Sequence, residues 1–172
     1  EDDPDWTFTW SSIVKNPATG ELYFSLKYRY DRNQSNILRF NPSTGERKVM
    51  LPSGVKRSMF SLYRKMLDDD SLLYVSDESG YMNLYKYSLS GERSQQLTQW
   101  TDAPLGDVEL FPVDGRNLIF VTQDTPVKTD LYVMDPDTSE FIHHEVIESS
   151  FSVSTREYEM LFAVEYSVND PL

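Results

Sequence analysis

The chain of 172 residues contains no cysteine. That absence excludes disulfide bonds, thiolate metal sites and cysteine nucleophiles together. No apolar run approaches the roughly 18 residues of a membrane-spanning helix, and no basic stretch followed by an apolar stretch opens the chain. The sequence therefore predicts no direct insertion of this segment into a membrane, and any signal or anchor is expected to lie outside it.

The sequence also lacks the motifs of common catalytic sites. It has no Gly-x-Ser-x-Gly elbow, no His-Glu-x-x-His pair and no glycine-rich phosphate loop. Its two histidines, His143 and His144, are adjacent on a predicted strand. Their side chains should point to opposite faces of that strand and cannot bind one ion. We therefore predict no catalytic residue, no metal site and no cofactor.

Positive charge is scarce. The chain has 16 Lys and Arg residues and 28 Asp and Glu residues, which gives a formal net charge of −12. Binding to nucleic acids and anionic lipids depends on basic side chains. We therefore expect no nucleic acid among the partners and favour a protein or small ligand that is cationic or neutral. Basic residues cluster at Lys56-Arg57 and Arg64-Lys65. Solubility and edge protection explain this cluster best, with an anionic ligand as the alternative.

Two acidic clusters are interpreted as turns. Residues 135–140 resemble a calcium loop but lack its central glycine and its distal bidentate glutamate. Residues 68–70 are three aspartates at a predicted hairpin, a position where aspartate hydrogen-bonds to its own backbone.

Short apolar segments, by contrast, recur along the whole chain. Apolar triplets of the kind found in strands buried on both faces begin at Leu22, Leu73, Ile119 and Leu161. After a polar hairpin, a further apolar segment follows three of them, at residues 37–40, 84–87 and 131–134, and a tight turn comes next. Four short strands in each period of about 45–50 residues are typical of a β-propeller blade.

The remaining strands of each repeat follow from the same spacing. Inner strands are predicted at residues 8–14, 59–67, 108–113 and 151–154, and outer strands at residues 46–51, 94–100 and 141–147. We predict an all-β chain with a solvated leader, residues 1–5, and a propeller segment, residues 6–172. Its four-stranded antiparallel blades would be residues 6–54, 57–102 and 106–148, with a half blade at residues 150–172.

About three and a half blades do not close a ring. A blade buries its faces against its neighbours, so an open array exposes apolar faces and unpaired strand edges. We expect the propeller to be incomplete in this segment or to be completed by another chain, for which a homodimer is one arrangement.

The clearest copy of the repeat resembles a known family. Its segments are SDESG from Ser76, NLY from Asn83, GE from Gly91 and QLT from Gln96. They resemble the repeat of TolB-type propellers, which also occurs in the non-catalytic propellers of tricorn protease and of the dipeptidyl-peptidase and prolyl oligopeptidase families. The segment PVDGR from Pro112 is similar to the Ser-Pro-Asp-Gly-Lys turn of that family, with Phe111 in place of the usual serine.

The resemblance implies a function as well as a fold. It implies a non-catalytic binding, scaffold or sensor segment of a larger protein, located in the periplasm or outside the cell. The alternative is the gating propeller of a prolyl-oligopeptidase-type serine peptidase whose hydrolase domain lies elsewhere. A propeller glycoside hydrolase using Asp107, Glu109 and Glu157 is disfavoured, because its acid and base need a closed ring.

Aromatic residues give two candidate binding sites. Trp6, Phe8 and Trp10 alternate at period two and share one face of the first inner strand. Core packing between blades explains them, and an exposed docking surface for a partner is the alternative.

The second candidate is the first long hairpin of the chain. Tyr28 and Tyr30 lie beside Arg29, Arg32 and Asn33 in this hairpin. We therefore predict ligand or partner binding at Trp6 and Trp10 on the strand and at Tyr28, Tyr30 and Arg32 on the hairpin.

Overall fold

The computed structural model describes residues 6–125, 128–147, 150–156 and 160–166, except for the side chains of residues 6, 8–12, 116, 147, 150–156 and 160–166. The predicted leader, residues 1–5, lies outside the described residues. Every regular element within the described ranges is a β-strand. The chain divides into two compact units, Glu1–Gln99 and Trp100–Leu172.

The first unit contains two antiparallel sheets of four strands each, with the strands in chain order. Sheet one consists of β1 (Trp6–Lys15), β2 (Leu22–Tyr28), β3 (Ser35–Phe40) and β4 (Arg47–Val49). Sheet two consists of β5 (Phe60–Asp68), β6 (Ser71–Ser76), β7 (Asn83–Ser88) and β8 (Arg93–Gln96).

The second unit repeats this arrangement once and adds a strand pair. Sheet three consists of β9 (Leu105–Val113), β10 (Arg116–Asp124), β11 (Thr129–Asp135) and β12 (Glu140–Ile147). The strands β13 (Ser150–Arg156) and β14 (Met160–Tyr166) form a two-stranded antiparallel sheet. Three four-stranded sheets and a strand pair confirm the predicted all-β architecture of about three and a half blades. Completion of the array by a second copy remains a prediction.

The core of the first unit lies between its two sheets. Strand β6 is buried at five of its six positions, which is why its apolar run stood out in the sequence. The largest buried side chains of this core come from the middle strands of both sheets and, for Leu62, from β5: Tyr23, Ile37, Leu62, Leu72, Tyr74 and Tyr87.

Three turns share one geometry and the sequence pattern Asn/Asp-Pro-x-Thr-Gly/Ser-Glu. Asn41 accepts hydrogen bonds through Oδ1 from the amides of Ser43 at 2.9 Å and Thr44 at 3.3 Å, and Gly45 follows with φ 75°. Residues 135–139 form the same turn, with Ser139 at φ 61°, which confirms the turn predicted at this position. A third copy begins at Asn16 and was missed in the sequence, although Asn-Pro-x-Thr-Gly-Glu is repeated there residue for residue.

The aspartates at the tip of the β5–β6 hairpin also form a turn. The amide of Asp70 donates to Asp68 Oδ1 at 2.7 Å, and the Asp70 carboxylate accepts from Ser88 Oγ and from the amide and hydroxyl of Ser90. The predicted hairpin at residues 68–70 is confirmed.

Two outer strands end earlier than predicted. Strand β4 stops at Val49 because Leu51 turns into the core, where Asn36 binds its amide and its carbonyl at 2.8 and 3.0 Å. Strand β8 stops at Gln96, and the hydroxyl of Thr98 accepts a hydrogen bond from the amide of Leu84. A buried side chain thus replaces the strand ladder in both sheets, so the predicted ends at residues 51 and 100 are wrong.

Candidate binding surface at one end of sheets one and two

Three connections meet at one end of the first unit. They are the β2–β3 loop (29–34), the β4–β5 link (50–59) and the β6–β7 loop (77–82). In an antiparallel sheet with strands in chain order, alternate connections lie at the same end, which places the first two together. Hydrogen bonds from the link to both loops join all three. We call this set of residues the loop end.

Arg57 holds the loop end together. Only 3% of this residue is exposed, and its amide donates to the carbonyl of Asn33 in the first loop. Its guanidinium donates through Nη1 to the carbonyl of Pro52 at 3.1 Å and through Nε to Glu78 Oε2 in the third loop. A buried guanidinium requires partners for its charge and its donors. The guanidinium finds them at Pro52 on its own link and at Glu78 on the β6–β7 loop, while the backbone amide of Arg57 bonds to the β2–β3 loop.

A second contact reinforces the join. Ser58 Oγ donates to the Asp77 carboxylate, and the amide of Asp77 donates to the carbonyl of Met59 at 3.1 Å. The link and the third loop are therefore tied at successive residues.

Glu78 in turn connects the loop end to the core. Its Oε1 accepts a hydrogen bond from the Tyr74 hydroxyl at 3.0 Å, and the same hydroxyl lies 2.9 Å from Ser94 Oγ. The Tyr74 ring stacks on Tyr85 with centroids 5.0 Å apart and contacts Phe60 at 5.2 Å. Burial raises the pKa of Tyr74 well above its usual range. The hydroxyl therefore keeps its proton and remains a donor to Glu78 at all ordinary pH values.

Each of the three connections exposes one large hydrophobic side chain. Tyr30 is 72% exposed, Met59 58% and Tyr81 45%. The Arg29 guanidinium lies 5.9 Å from the centroid of the Tyr30 ring, and Tyr28 packs edge-on against that ring at 6.0 Å. The hairpin that carries them is fixed by Asp31, whose carboxylate accepts from the Asn33 amide at 2.9 Å and from Gln34 Nε2 at 3.2 Å.

The exposed charges at the loop end are all positive. Its carboxylates belong to Asp31, Asp77 and Glu78, which are partly buried and hydrogen-bonded within the unit. Its exposed charged side chains are cationic: Arg29, Arg32 and Lys56. A chain with a net charge of −12 therefore exposes three cationic side chains at this end.

The structure places two of the five predicted site residues in this loop end, Tyr30 and Arg32, and a third, Tyr28, at the adjoining end of β2. The backbone of Trp6 is paired with that of Tyr28 at the same end of sheet one, whereas Trp10 falls where the β1–β2 register shifts between Phe8 and Ile13. The side chains of Trp6 and Trp10 lie outside the described residues.

Sequence reasoning missed the residues that build the loop end. Arg57 was interpreted as a surface charge, and that interpretation is wrong because its side chain is buried against Glu78. Nothing in the local sequence distinguishes it from Lys56, which is exposed. The partner that allows burial is 21 residues away in the sequence.

An aromatic cluster in the second unit contains side chains from strands β11 and β12 of sheet three, together with Trp100. Tyr132 stacks on His144 with centroids 4.4 Å apart and contacts Phe141 at 4.8 Å and Trp100 at 5.3 Å. His144 Nε2 lies 3.0 Å from Asp130 Oδ1, whose other oxygen is 2.8 Å from Lys128 Nζ.

The charges around this cluster satisfy one another. Burial acts to raise the pKa of Asp130, but hydrogen bonds from Lys128 and His144 outweigh it and leave the pKa below its usual value. His143 instead lies 3.7 Å from Glu145 and is largely exposed, so the two histidines have different partners. Among the described residues, no group of three or more acidic or histidine side chains could hold a metal ion.

Solved structures share this fold at low sequence identity. A dipeptidyl aminopeptidase IV from Bacteroides ovatus superposes with a TM-score of 0.64 and 19% identity over 87% of this chain and 24% of its own. Tricorn protease gives 0.51 and 17% identity over 83% of this chain and 14% of its own. The Dos1 propeller gives 0.50 and 11% identity over 81% and 37%.

These comparisons identify the class of the protein. The chain is a segment of a β-propeller, and its sheets one, two and three are four-stranded blades. The resemblance to TolB-like propellers is confirmed at the level of the fold. The chain spans between 14% and 37% of the length of these three structures. No family model and no curated protein matches the sequence.

The part of the chain that the structure describes offers no helix of the length and apolar character needed to cross a bilayer.

Proposed function

We propose that this chain is a non-catalytic binding segment of a larger propeller protein and that its loop end contacts a protein or small ligand. One observation carries the proposal: the buried Arg57 joins three connections that each expose a large hydrophobic side chain. Binding residues are often found on loops that a rigid scaffold positions. Tyr, Met and Arg, the residue types exposed here, are enriched at protein interfaces.

The cellular location belongs to the same proposal. TolB-type propellers are mostly periplasmic, and the repeat of this chain resembles theirs. We therefore place the binding segment in the periplasm or outside the cell, as part of a receptor, regulator or envelope protein.

A second candidate is favoured by one comparison. The dipeptidyl aminopeptidase has the highest TM-score of the three structures described, and the chain covers 24% of it. The segment would then belong to the propeller of a serine peptidase and gate access to a hydrolase domain elsewhere in the polypeptide. A Gly-x-Ser-x-Gly motif downstream in the full reading frame would favour this candidate.

Site-specific photo-crosslinking in the full-length protein tests both candidates. A benzophenone side chain replaces Tyr30 or Tyr81 at the loop end, and Ile13 provides the control. Ile13 is 63% exposed and lies near the other end of sheet one, where it pairs with Phe24.

The binding proposal expects products with another molecule from Tyr30 and Tyr81 and little product from Ile13. Products within the same polypeptide, mapped by mass spectrometry to a hydrolase domain, would support the peptidase candidate instead. Equal yields from all three positions, or no product from any, would overturn the assignment of the loop end as a binding surface.

A further inference from the structure

We infer that the ligand of the loop end is an acidic peptide segment that also carries apolar side chains. The inference rests on the proposed function and specifies its partner chemistry. The exposed charges at the loop end are Arg29, Arg32 and Lys56, and its carboxylates already accept internal hydrogen bonds. A ligand with carboxylates meets no exposed like charge there, whereas a cationic ligand meets three.

The spacing of apolar and charged groups favours a peptide over a compact anion. A phosphate or free carboxylate is usually bound by several donors that converge on one point. The one guanidinium at the centre of the loop end, that of Arg57, is already neutralised by Glu78. The remaining cations lie on two different connections and alternate with the exposed side chains of Tyr30 and Met59.

A nucleic acid fits this surface less well. Its affinity comes from many phosphate contacts along an extended basic surface. Three cations in a chain of net charge −12 do not supply such a surface. A peptide needs fewer charges, because the burial of its apolar side chains against Tyr30, Met59 and Tyr81 contributes the remaining affinity.

The stacked pair Arg29 and Tyr30 is the expected centre of recognition. The guanidinium lies over the ring at 5.9 Å, so one unit presents a charge and an apolar face side by side. The guanidinium remains a donor for a carboxylate, and the Tyr28 ring packs edge-on against Tyr30 at 6.0 Å.

The experiment measures peptide binding to the intact protein by fluorescence anisotropy. The probe is a rhodamine-labelled peptide rich in Glu with interspersed Leu and Tyr. A second peptide in which Lys replaces every Glu serves as the charge control. We expect the acidic probe to bind more tightly than the basic one by at least about tenfold and to weaken as salt is added.

Charge-reversal variants locate the interaction. Arg29→Glu combined with Arg32→Glu should weaken the acidic probe by about tenfold or more. Arg64→Glu combined with Lys65→Glu makes the same change of charge at exposed positions of β5 and should alter affinity less than about twofold. Tyr30→Ser should weaken the probe while leaving the salt dependence unchanged, since it removes apolar contact and no charge.

Three results would overturn the inference: no binding of the acidic probe at low salt, equal affinity for both probes, or equal losses from both charge-reversal pairs. These outcomes are separable from failure of the proposed function. If Tyr30 and Tyr81 still crosslink to another molecule while the acidic probe does not bind, the surface is real and its ligand has a different chemistry. Matching thermal midpoints for all variants show that the folded state is unchanged.

Discussion

Two ion pairs join the first blade to the second, and they lie in opposite environments. The side chains of Arg57 and Glu78 are 4% and 14% exposed, at the loop end. The side chains of Lys48, on the outer strand β4, and Glu92, in the turn before β8, are 39% and 56% exposed. The same pairing of charges should therefore have different consequences. The buried pair joins the β4–β5 link to the β6–β7 loop, whereas the exposed pair is screened by water and salt.

The buried pair is not expected to be strongly stabilising compared with apolar side chains. Removing two charges from water costs several kcal/mol for each ion, and their attraction recovers this only when the hydrogen bonds are complete. Further hydrogen bonds support the pair, from Arg57 Nη1 to the carbonyl of Pro52 and from the Tyr74 hydroxyl to Glu78. Their role is to specify the positions of the loops that carry the exposed residues.

The largest predicted effect is that of breaking this pair from one side. Glu78→Ala leaves the guanidinium of Arg57 buried without its counter-charge and removes one of the two hydrogen-bond partners of the Tyr74 hydroxyl. We expect the free energy of unfolding to fall by about 3–5 kcal/mol. Urea denaturation followed by tyrosine and tryptophan fluorescence measures the change.

The double variant Arg57→Met with Glu78→Leu provides the control. Since neither charge remains, it should lose clearly less stability than Glu78→Ala alone. If Glu78→Ala lowers the free energy of unfolding no more than a surface substitution does, the Arg57–Glu78 pair is solvated. The buried and the exposed ion pair would then not differ in their effect on stability.

A smaller effect is expected from the hydroxyl that supports Glu78. Tyr74→Phe keeps the ring stacked on Tyr85 but removes the donor to Glu78 Oε1 and the partner of Ser94 Oγ. We expect a loss of about 1–3 kcal/mol, the usual cost of leaving buried polar atoms with one partner fewer. Ser94→Ala in the same background should then cost little more, because the serine has already lost that contact. Additive losses would argue against a shared hydrogen-bond network.

The sequence predicted the blades because their middle strands are buried on both faces. Strands β6 and β11 are buried along almost their whole length, which produces continuous apolar runs that differ from polar loops. The turns were predicted for an equally local reason, since the side chains of Asn41 and Asp135 accept hydrogen bonds from backbone amides two residues further along the chain.

The ends of the outer strands and the loop end depend on distant contacts. Leu51 leaves its strand because Asn36, 15 residues earlier, binds its backbone. Arg57 is buried because Glu78 and Asn33 come from two other connections. No periodicity in the neighbouring residues records such partners, so a buried arginine and an exposed lysine look alike in the sequence.

The exposed pair gives the smallest predicted effect and tests the comparison through pH. A hydrogen bond and charge attraction from Lys48 hold the pKa of Glu92 below its usual value. Because that pKa is lowered in the folded state, the contribution of the pair to stability is present above the pKa of an unfolded glutamate and is lost as pH falls through the folded value. Lys48→Met should return the pKa of Glu92 to the ordinary range in an NMR titration, with no resolvable change in the urea midpoint at physiological salt. If Lys48→Met lowers the urea midpoint as much as Glu78→Ala does, both ion pairs stabilise the contact between the blades. The difference in burial between the two pairs would then have no effect on stability.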